Sequence, residues 1–363
     1  MRSSWRLVPI IAQHRSNLWC SVRLRFLTST PQNIAGGSGT YVGIHVLAQA
    51  LRRLGHVVDI EAPSRHFPVY TAERLWFNRR LRRSAEHDLT IGFDMDGYRI
   101  AEDAPHVASL KGVIADEVRF ERGLTRLTMG IQARCERLHV HRASRVLVTS
   151  RYCAERVRAL YGLKEPPAIV PELIDLAKWR GHLAAAPASA ERFTVLFAGR
   201  FYRRKRVDVL LRAAARLRGR IPGLEVRIVG NGPCNAMWRG LARSLGLEDT
   251  VTWLGDVTRS QLAAEYNRCT LFCLPSVQEG FGIVLLEAMA AGKPIVAARA
   301  AAIPEVAPQA TLVEPDDPEA MAAGMASWDR LQPVQSYSGW IDQFDAPRVA
   351  EQFVETVSAV TAR

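Results

Sequence analysis

No apolar run in the 363 residues reaches the roughly 18–20 that a membrane-crossing helix needs, so a polytopic helical membrane protein is excluded. Cysteine is sparse: six, at positions 20, 135, 153, 234, 269 and 273, and no two form a CxxC pair of the zinc-binding kind. Cys269 and Cys273 flank Leu271-Phe272 and read as small core residues, which fits a reducing compartment. Lysine is nearly absent, 5 residues against 43 arginines, a bias that fits GC-rich coding as well as guanidinium chemistry. Charged residues are 23% and apolar residues 48%, which excludes a wholly disordered or collagen-like chain.

What is present is basic and uneven. The formal charge is +12, from 48 Lys+Arg and 36 Asp+Glu. Residues 1–180 hold 28 basic and 17 acidic side chains, a net of +11; the rest hold 20 and 19, a net of +1. The length exceeds an ordinary single domain of about 100–200 residues, so two domains meeting different partners are expected. Residues 1–20 form a basic arm expected to lack order. Its apolar stretch Leu7–Ala12 is short, broken by Pro9, and followed by no small-residue cleavage site.

The periodicity predicts strand Val22–Leu27, a Gly36-Gly37-Ser38-Gly39 loop, a helix through Leu54 and strand His56–Ile60, the opening of a Rossmann-like βαβ unit. Strand-like runs recur at 89–93, 106–110 and 146–149, and Ser150 is a helix N-cap. The run 184–190 has no apolar period and reads as a linker. Strand–helix alternation then restarts at Phe193. Two α/β domains with parallel sheets follow from that rhythm.

The densest chemistry is Glu279-Gly280-Phe281-Gly282-Ile283-Val284-Leu285-Leu286-Glu287, placed after the apolar strand Leu271–Leu274. The glycines let backbone approach a ligand, and the helix opening at Gly282 offers free N–H groups to a phosphate. Two carboxylates bracketing that turn suit sugar hydroxyls. With Ala198-Gly199-Arg200, Lys205-Arg206-Val207-Asp208, Val229-Gly230-Asn231-Gly232-Pro233, Val251–Gly255 and the Gly36-Gly37 loop, this stretch resembles the Glu-x7-Glu signature of group 4 retaining glycosyltransferases of the GT-B fold. The resemblance covers most of the chain from about residue 22.

That resemblance implies two Rossmann-like domains facing a cleft: an acceptor domain at 21–175, a linker at 176–190, a nucleotide-sugar domain at 191–335 and helices at 336–363 crossing back to the first domain. It implies that Arg200 and Lys205 bind the donor diphosphate and Glu279 the donor sugar, these three being the catalytic candidates. It assigns Glu287 to the ribose, and Gly280, Phe281, Gly282, Ile283, Val284, Gly230, Asn231 and Val257 to the rest of the donor. Gly36 and Gly37 would hold phosphate or acceptor. A solvated basic loop competes for Arg203, Arg204 and Arg206, and a plain tight turn for Gly230–Gly232.

Two departures stand out. Lys111 falls where relatives carry a histidine near the reacting sugar; it would bind acceptor or diphosphate, or be solvated. Val170-Pro171-Glu172-Leu173-Ile174-Asp175 replaces the family's Pro-Asn-Gly-Val-Asp. A lesser, third difference is Arg206, where a glycine commonly follows the family's lysine. Asp94-Met95-Asp96 has the spacing of a metal-binding Asp-x-Asp, yet no metal is expected. The segment 73–83, with Leu75, Trp76 and Phe77 among arginines, suits either an anionic membrane surface or a solvated helix. No nucleic-acid motif is present.

The implied activity is transfer of a sugar from a nucleoside diphosphate sugar, with retention and without metal or other cofactor, to a glycan, lipid or small-molecule acceptor. The implied location is cytoplasmic, with peripheral contact at the inner face of the membrane. A sugar-nucleotide 2-epimerase and a non-catalytic sugar-nucleotide sensor are the alternatives.

Overall fold

The structure is a computed structural model that describes residues 21–31, 39–103, 105–187, 192–328 and 336–361. Two six-stranded parallel sheets organise them. The first contains β1 (Arg23–Leu27), β2 (Val57–Glu61), β3 (Leu89–Phe93), β4 (His106–Leu110), β5 (Arg145–Val148) and β6 (Ala168–Ile169), in the order β2-β1-β3-β4-β5-β6. Between these strands run α1 (Gly39–Arg53), α2 (Tyr70–Arg80), α3 (Ile114–Glu117), α4 (Gly123–Arg142) and α5 (Arg151–Tyr161).

The second contains β7 (Thr194–Ala198), β8 (Glu225–Val229), β9 (Val251–Gly255), β10 (Leu271–Leu274), β11 (Ile295–Ala298) and β12 (Thr311–Val313), in the order β12-β11-β10-β7-β8-β9. Helix α6 (Leu176–Ala185) precedes it. Helices α7 (Val207–Leu217), α8 (Asn235–Ser244), α9 (Arg259–Arg268), α10 (Ile283–Ala290), α11 (Ile303–Val306) and α12 (Pro318–Ala326) connect and follow its strands, and α13 (Ala346–Thr361) ends the described chain.

Central strands read as unbroken apolar runs because helices cover both faces: every residue of β3, β7, β10 and β11 is buried. Helix α7 shows the matching one-sided pattern, burying Val207, Leu210, Leu211, Ala214 and Leu217 at helical spacing. The chain order reverses between β1 and β3 in the first sheet, and between β7 and β10 in the second. Ligands of open parallel sheets bind beyond the carboxyl ends of strands at such switch points. The loops after β7 and β10 are those that carry Arg200, Lys205 and Glu279.

The sequence reading needs correction at two places. The stretch 176–190, expected as a linker, begins with helix α6: Asp175 caps it by accepting from the Lys178 N–H at 3.0 Å, and Trp179 is buried, its indole N–H donating to the Glu287 carbonyl. Tyr337–Phe344, expected as a helix, contains only a 3-10 turn at Ile341–Phe344. Of the two readings of 73–83, the burial matches the solvated helix with one face inward: Glu73, Arg74, Phe77, Asn78 and Leu81 are buried, Leu75 and Trp76 are half-buried, and arginines 79, 80, 82 and 83 are exposed.

Helix α13 crosses to the first sheet, where Val349, Phe353 and Val357 join the core and Phe353 meets Phe26 edge-on at 6.4 Å. The two halves are therefore joined by chain passing between them twice, once before α6 and once into α13.

Candidate functional site

A cavity of about 520 Å³ lies between the carboxyl ends of the two sheets. The second domain contributes Gly199, Arg200, Tyr202, Arg204 and Lys205 from the loop after β7, and 278–284 from the loop after β10 and the start of α10. The first contributes Asp94, Lys111 and Gly112 from strand ends, with Tyr70, Arg74 and Glu117 from helices. Among the described residues, no group of three or more His, Cys, Asp or Glu side chains is placed to hold a metal ion.

Lys205 and Glu279 meet here, Nζ donating to Oε1 at 2.6 Å, with both side chains largely buried. Burial pushes the Lys205 ammonium down from the ordinary lysine range, and Glu279 opposes that shift. Gly282 takes a left-handed conformation (φ 92°) as the residue before α10, which an L side chain would strain, and so turns the first N–H groups of α10 toward the cavity. Gly280, Phe281, Ile283 and Val284 line the same wall. Arg200 is the least engaged cation of the lining, 4.0 Å from Asp256 and one-third exposed. Arg206, where relatives carry glycine, itself adopts the glycine-like conformation (φ 50°, ψ 40°) and is held by Asp208 and Asp316. Arg206 thus takes a backbone conformation that favours glycine.

Other expected residues lie elsewhere. Glu287 does not line the cavity: it is buried in α10, ion-paired to Arg259 and accepting from the Tyr266 hydroxyl at 3.3 Å. Arg259 lies over the Trp179 ring at 4.3 Å and lines a smaller neighbouring cavity of about 200 Å³ between α1, α6 and α9; Ile283 borders both cavities. Gly230 and Asn231 form the turn after β8, where the Asn231 carbonyl accepts from the Phe201 N–H, and Val257 packs on the core; none of the three lines the cavity. Gly36 and Gly37 lie outside the described residues; Gly39 and Thr40 beyond them do line the cavity.

On the first-domain side the two sequence departures meet each other. Lys111 Nζ donates to Glu172 Oε2 at 3.0 Å, with both side chains at least 93% buried. The cation offered for acceptor or diphosphate is thus already neutralised. Burial pushes the Glu172 carboxyl up, and Lys111 pulls it back down. The Asp-x-Asp pair is likewise committed to the protein. Asp96, fully buried, accepts from the Ser29 N–H at 2.7 Å, the Ser29 hydroxyl at 2.6 Å, Asn78 at 2.9 Å and Arg74 at 3.3 Å. Asp94 Oδ1 accepts from the Lys111 N–H, and burial pushes the Asp94 carboxyl up to about 6.

The domains touch at the cavity floor. The Gly280 carbonyl accepts from the hydroxyls of Thr149 at 3.1 Å and Ser150 at 2.8 Å, both at the start of α5. The Glu305 carboxylate accepts from the Arg151 N–H at 3.0 Å, placing a negative charge at the positive end of that helix. Arg204 crosses the other way, Nη2 3.1 Å from Glu117 and Nη1 3.8 Å from Glu121. Arg204, Gln278 and Glu117 are cavity residues that sequence reasoning missed or left as solvated. The signal available was adjacency: each of the first two precedes an expected site residue, Lys205 or Glu279.

Two Rossmann-like domains closed over a cleft define the GT-B class, and solved structures agree. Sucrose-phosphate synthase from Thermosynechococcus elongatus superposes with TM-score 0.74 at 20% identity, covering 94% of this chain and 99% of that one. WaaG, a glycosyltransferase of lipopolysaccharide biosynthesis, gives 0.69 at 18%, covering 92% and 99%. Anabaena HepE in complex with UDP and glucose gives 0.66 at 19%, covering 93% and 100%.

Residues 183–338 match the family model described as "Glycosyl transferases group 1". A D-inositol 3-phosphate glycosyltransferase of Nocardiopsis dassonvillei is 35% identical over 175 residues, 44% of this chain and 41% of that protein. A GDP-mannose-dependent alpha-(1-6)-phosphatidylinositol monomannoside mannosyltransferase of Mycobacterium tuberculosis is 32% identical over 173 residues, 44% and 45% respectively. The chain spans less than half the length of these curated relatives.

The buried pair makes a stability prediction. Lys111→Met alone strands the Glu172 carboxylate and costs about 3 kcal/mol or more. Adding Glu172→Gln recovers most of that loss. Urea unfolding of wild type, both single variants and the double variant checks it; additive losses would contradict the pairing.

Proposed function

We propose that this protein transfers a sugar from a nucleoside diphosphate sugar to an acceptor hydroxyl, with retention of anomeric configuration and with no metal ion. The observation that carries this reading is the Lys205–Glu279 pair in the wall of an inter-domain cavity, beside Arg200 and the open N-terminus of α10. That arrangement supplies fixed positive charge where a diphosphate leaves and a carboxylate where sugar hydroxyls lie. Residues 183–338, the part matching a glycosyltransferase family, contain these groups, and the relatives named above are transferases.

The chemistry needs no covalent intermediate on the protein. The anomeric C–O bond to the β-phosphate breaks while the acceptor oxygen attacks from the same face. The departing phosphate oxygen takes the acceptor proton. Arg200, Lys205 and the N–H groups of Ile283 and Val284 neutralise the diphosphate as its charge develops. Glu279, steadied by Lys205, orients the sugar. A closed cleft excludes water, which would otherwise hydrolyse the donor. Among the described residues, cations of the lining other than Arg200 each have a carboxylate within 3.3 Å, so the cavity does not present a general excess of positive charge.

The basic first half belongs in the same reading, with the surface relocated. No helix among the described residues is long and apolar enough to cross a membrane. Helix α4, however, exposes Leu124, Leu127, Ile131 and Leu138, which helical spacing puts on one face, and arginines 122, 126, 134 and 137 on and before it are also exposed. Such a helix suits an anionic lipid surface, apolar side chains entering and arginines reaching the headgroups. We assign the protein to the cytoplasmic side, with a glycan, glycolipid or polyol acceptor.

Two measurements test this. Thermal melting against UDP-, GDP- and ADP-sugars is expected to give stabilisation by one nucleotide class. With that donor, Lys205→Ala should lower kcat/KM at least about 100-fold while the circular dichroism spectrum stays native; full activity would sink the assignment. Sedimentation with phosphatidylglycerol vesicles should exceed that with phosphatidylcholine and drop on Leu124→Glu/Leu127→Glu. Equal binding to both lipids would remove the membrane contact.

A further inference from the structure

Buried polar atoms nearly always find a hydrogen-bond partner, and a buried group left without one costs about 1–3 kcal/mol. Gln278 breaks that rule twice. It is 1% exposed, it lines the cavity, and neither its Nε2 nor its Oε1 has a partner among the described residues. Its neighbourhood repeats the anomaly. Arg204 Nε and Nη1 and Glu121 Oε1 are also buried without a hydrogen bond, Nη1 and Oε1 facing each other only as an ion pair at 3.8 Å, and the Val277 N–H donates to the Arg204 carbonyl, tying the two loops together. One corner of the cavity lining thus collects an amide donor, an amide acceptor and two guanidinium donors, and the Glu121 carboxylate stands 3.8 Å from Arg204 outside that lining.

The charge of this corner decides what fits. Arg204 faces two carboxylates, Glu117 at 3.1 Å and Glu121 at 3.8 Å, so no net positive charge remains for a phosphate. Alternating donors and acceptors with no surplus cation match neutral hydroxyls, each of which both donates and accepts.

We propose that Gln278, with Arg204, forms a subsite that reads the hydroxyls of a neutral sugar or polyol, making Gln278 a specificity-determining residue. The proposal deepens the transferase reading and rests on it for the kind of ligand in the cleft. It also separates the cavity into two ends. Phosphate belongs at Arg200, Lys205 and α10, and uncharged polyhydroxyl at the Gln278 corner. A site built to bond a hydroxyl discriminates strongly against ligands lacking it, because its own groups are then left unpaired.

The test uses Gln278→Met, which keeps length and removes both hydrogen-bonding atoms, with Gln278→Leu as a second variant. Without ligand, both should melt at or above the wild-type temperature, since an unpaired amide is replaced by an apolar side chain. Stabilisation by the nucleoside diphosphate alone should be unchanged. Two titrations locate the hydroxyls: the matching nucleotide sugar, and glucose, mannose or myo-inositol added on top of the nucleoside diphosphate. A Kd raised at least 10-fold in the first places them on the donor, and in the second on the acceptor; either supports the subsite. A melting temperature several degrees below wild type in both variants would mean that the amide is structural. Unchanged Kd values in both titrations, or a wild-type protein that binds no sugar in either, would likewise overturn the proposal. Failure of the nucleoside diphosphate to bind wild type would count against the transferase reading, while the ligand-free melting comparison would still test the amide.

Discussion

The Gly280 backbone carbonyl is the contact between the two halves of this molecule that sits at the centre of the cavity floor. The Gly280 oxygen, at the mouth of the loop after β10, accepts from two hydroxyls at the start of α5 in the other domain. A Cβ at residue 280 would lie 2.7 Å from the Lys111 carbonyl and 3.1 Å from Gly112 Cα, both backbone atoms that cannot step aside. The contact therefore demands glycine there. Everything chemical in the cavity is arranged around it. Glu279 precedes it, Gly282 and α10 follow it, and Lys111 and Gly112 face it. Displacing that carbonyl by an ångström or two would separate the second domain's loops after β7 and β10 from the first domain's strand ends.

The charges around the contact follow one logic. Cations are placed where substrate charge is expected, but nearly all are held by acids: Lys205 by Glu279, Arg204 by Glu117, Lys111 by Glu172 and Arg74 by Asp96. Buried ion pairs are poor sources of net stability, because desolvation offsets the attraction. Their value here is geometric. Each pins a side chain whose direction matters, and together they leave Arg200 as the loosely tethered cation of the lining among the described residues. The +11 of the first half does not accumulate in the cleft, and much of the exposed part lies along α2 and α4.

Local patterns were readable from the chain, and long-range pairings were not. Strand β10, the loop carrying Glu279 and the start of α10 were legible because apolar run, glycines and helix follow one another within about twenty residues. The Lys111–Glu172 pair was not. Its members lie 61 positions apart, and each looked like an isolated departure from the family pattern. In segment 73–83 the composition left two readings open, and what it did not reveal is that Arg74 is drawn inward by Asp96 and Ser29. The alanine-rich stretch after residue 175 lacks apolar periodicity but propagates helix readily once Asp175 caps it. Gln278 was invisible in principle. Its importance lies in what fails to reach it, and no sequence pattern reports a missing partner.

The central claim is that the site exists only when the Gly280 carbonyl is seated between the domains. Substituting Gly280→Ala adds one methyl group at that point and removes no hydrogen-bonding atom. Small-angle scattering of the two proteins, read with kcat/KM on the matched nucleotide sugar, is the direct measurement. The account predicts a larger radius of gyration, native secondary structure and a loss on the order of 100-fold in kcat/KM, the size expected when catalytic groups are misplaced by about an ångström. An unchanged radius of gyration together with wild-type turnover would contradict it.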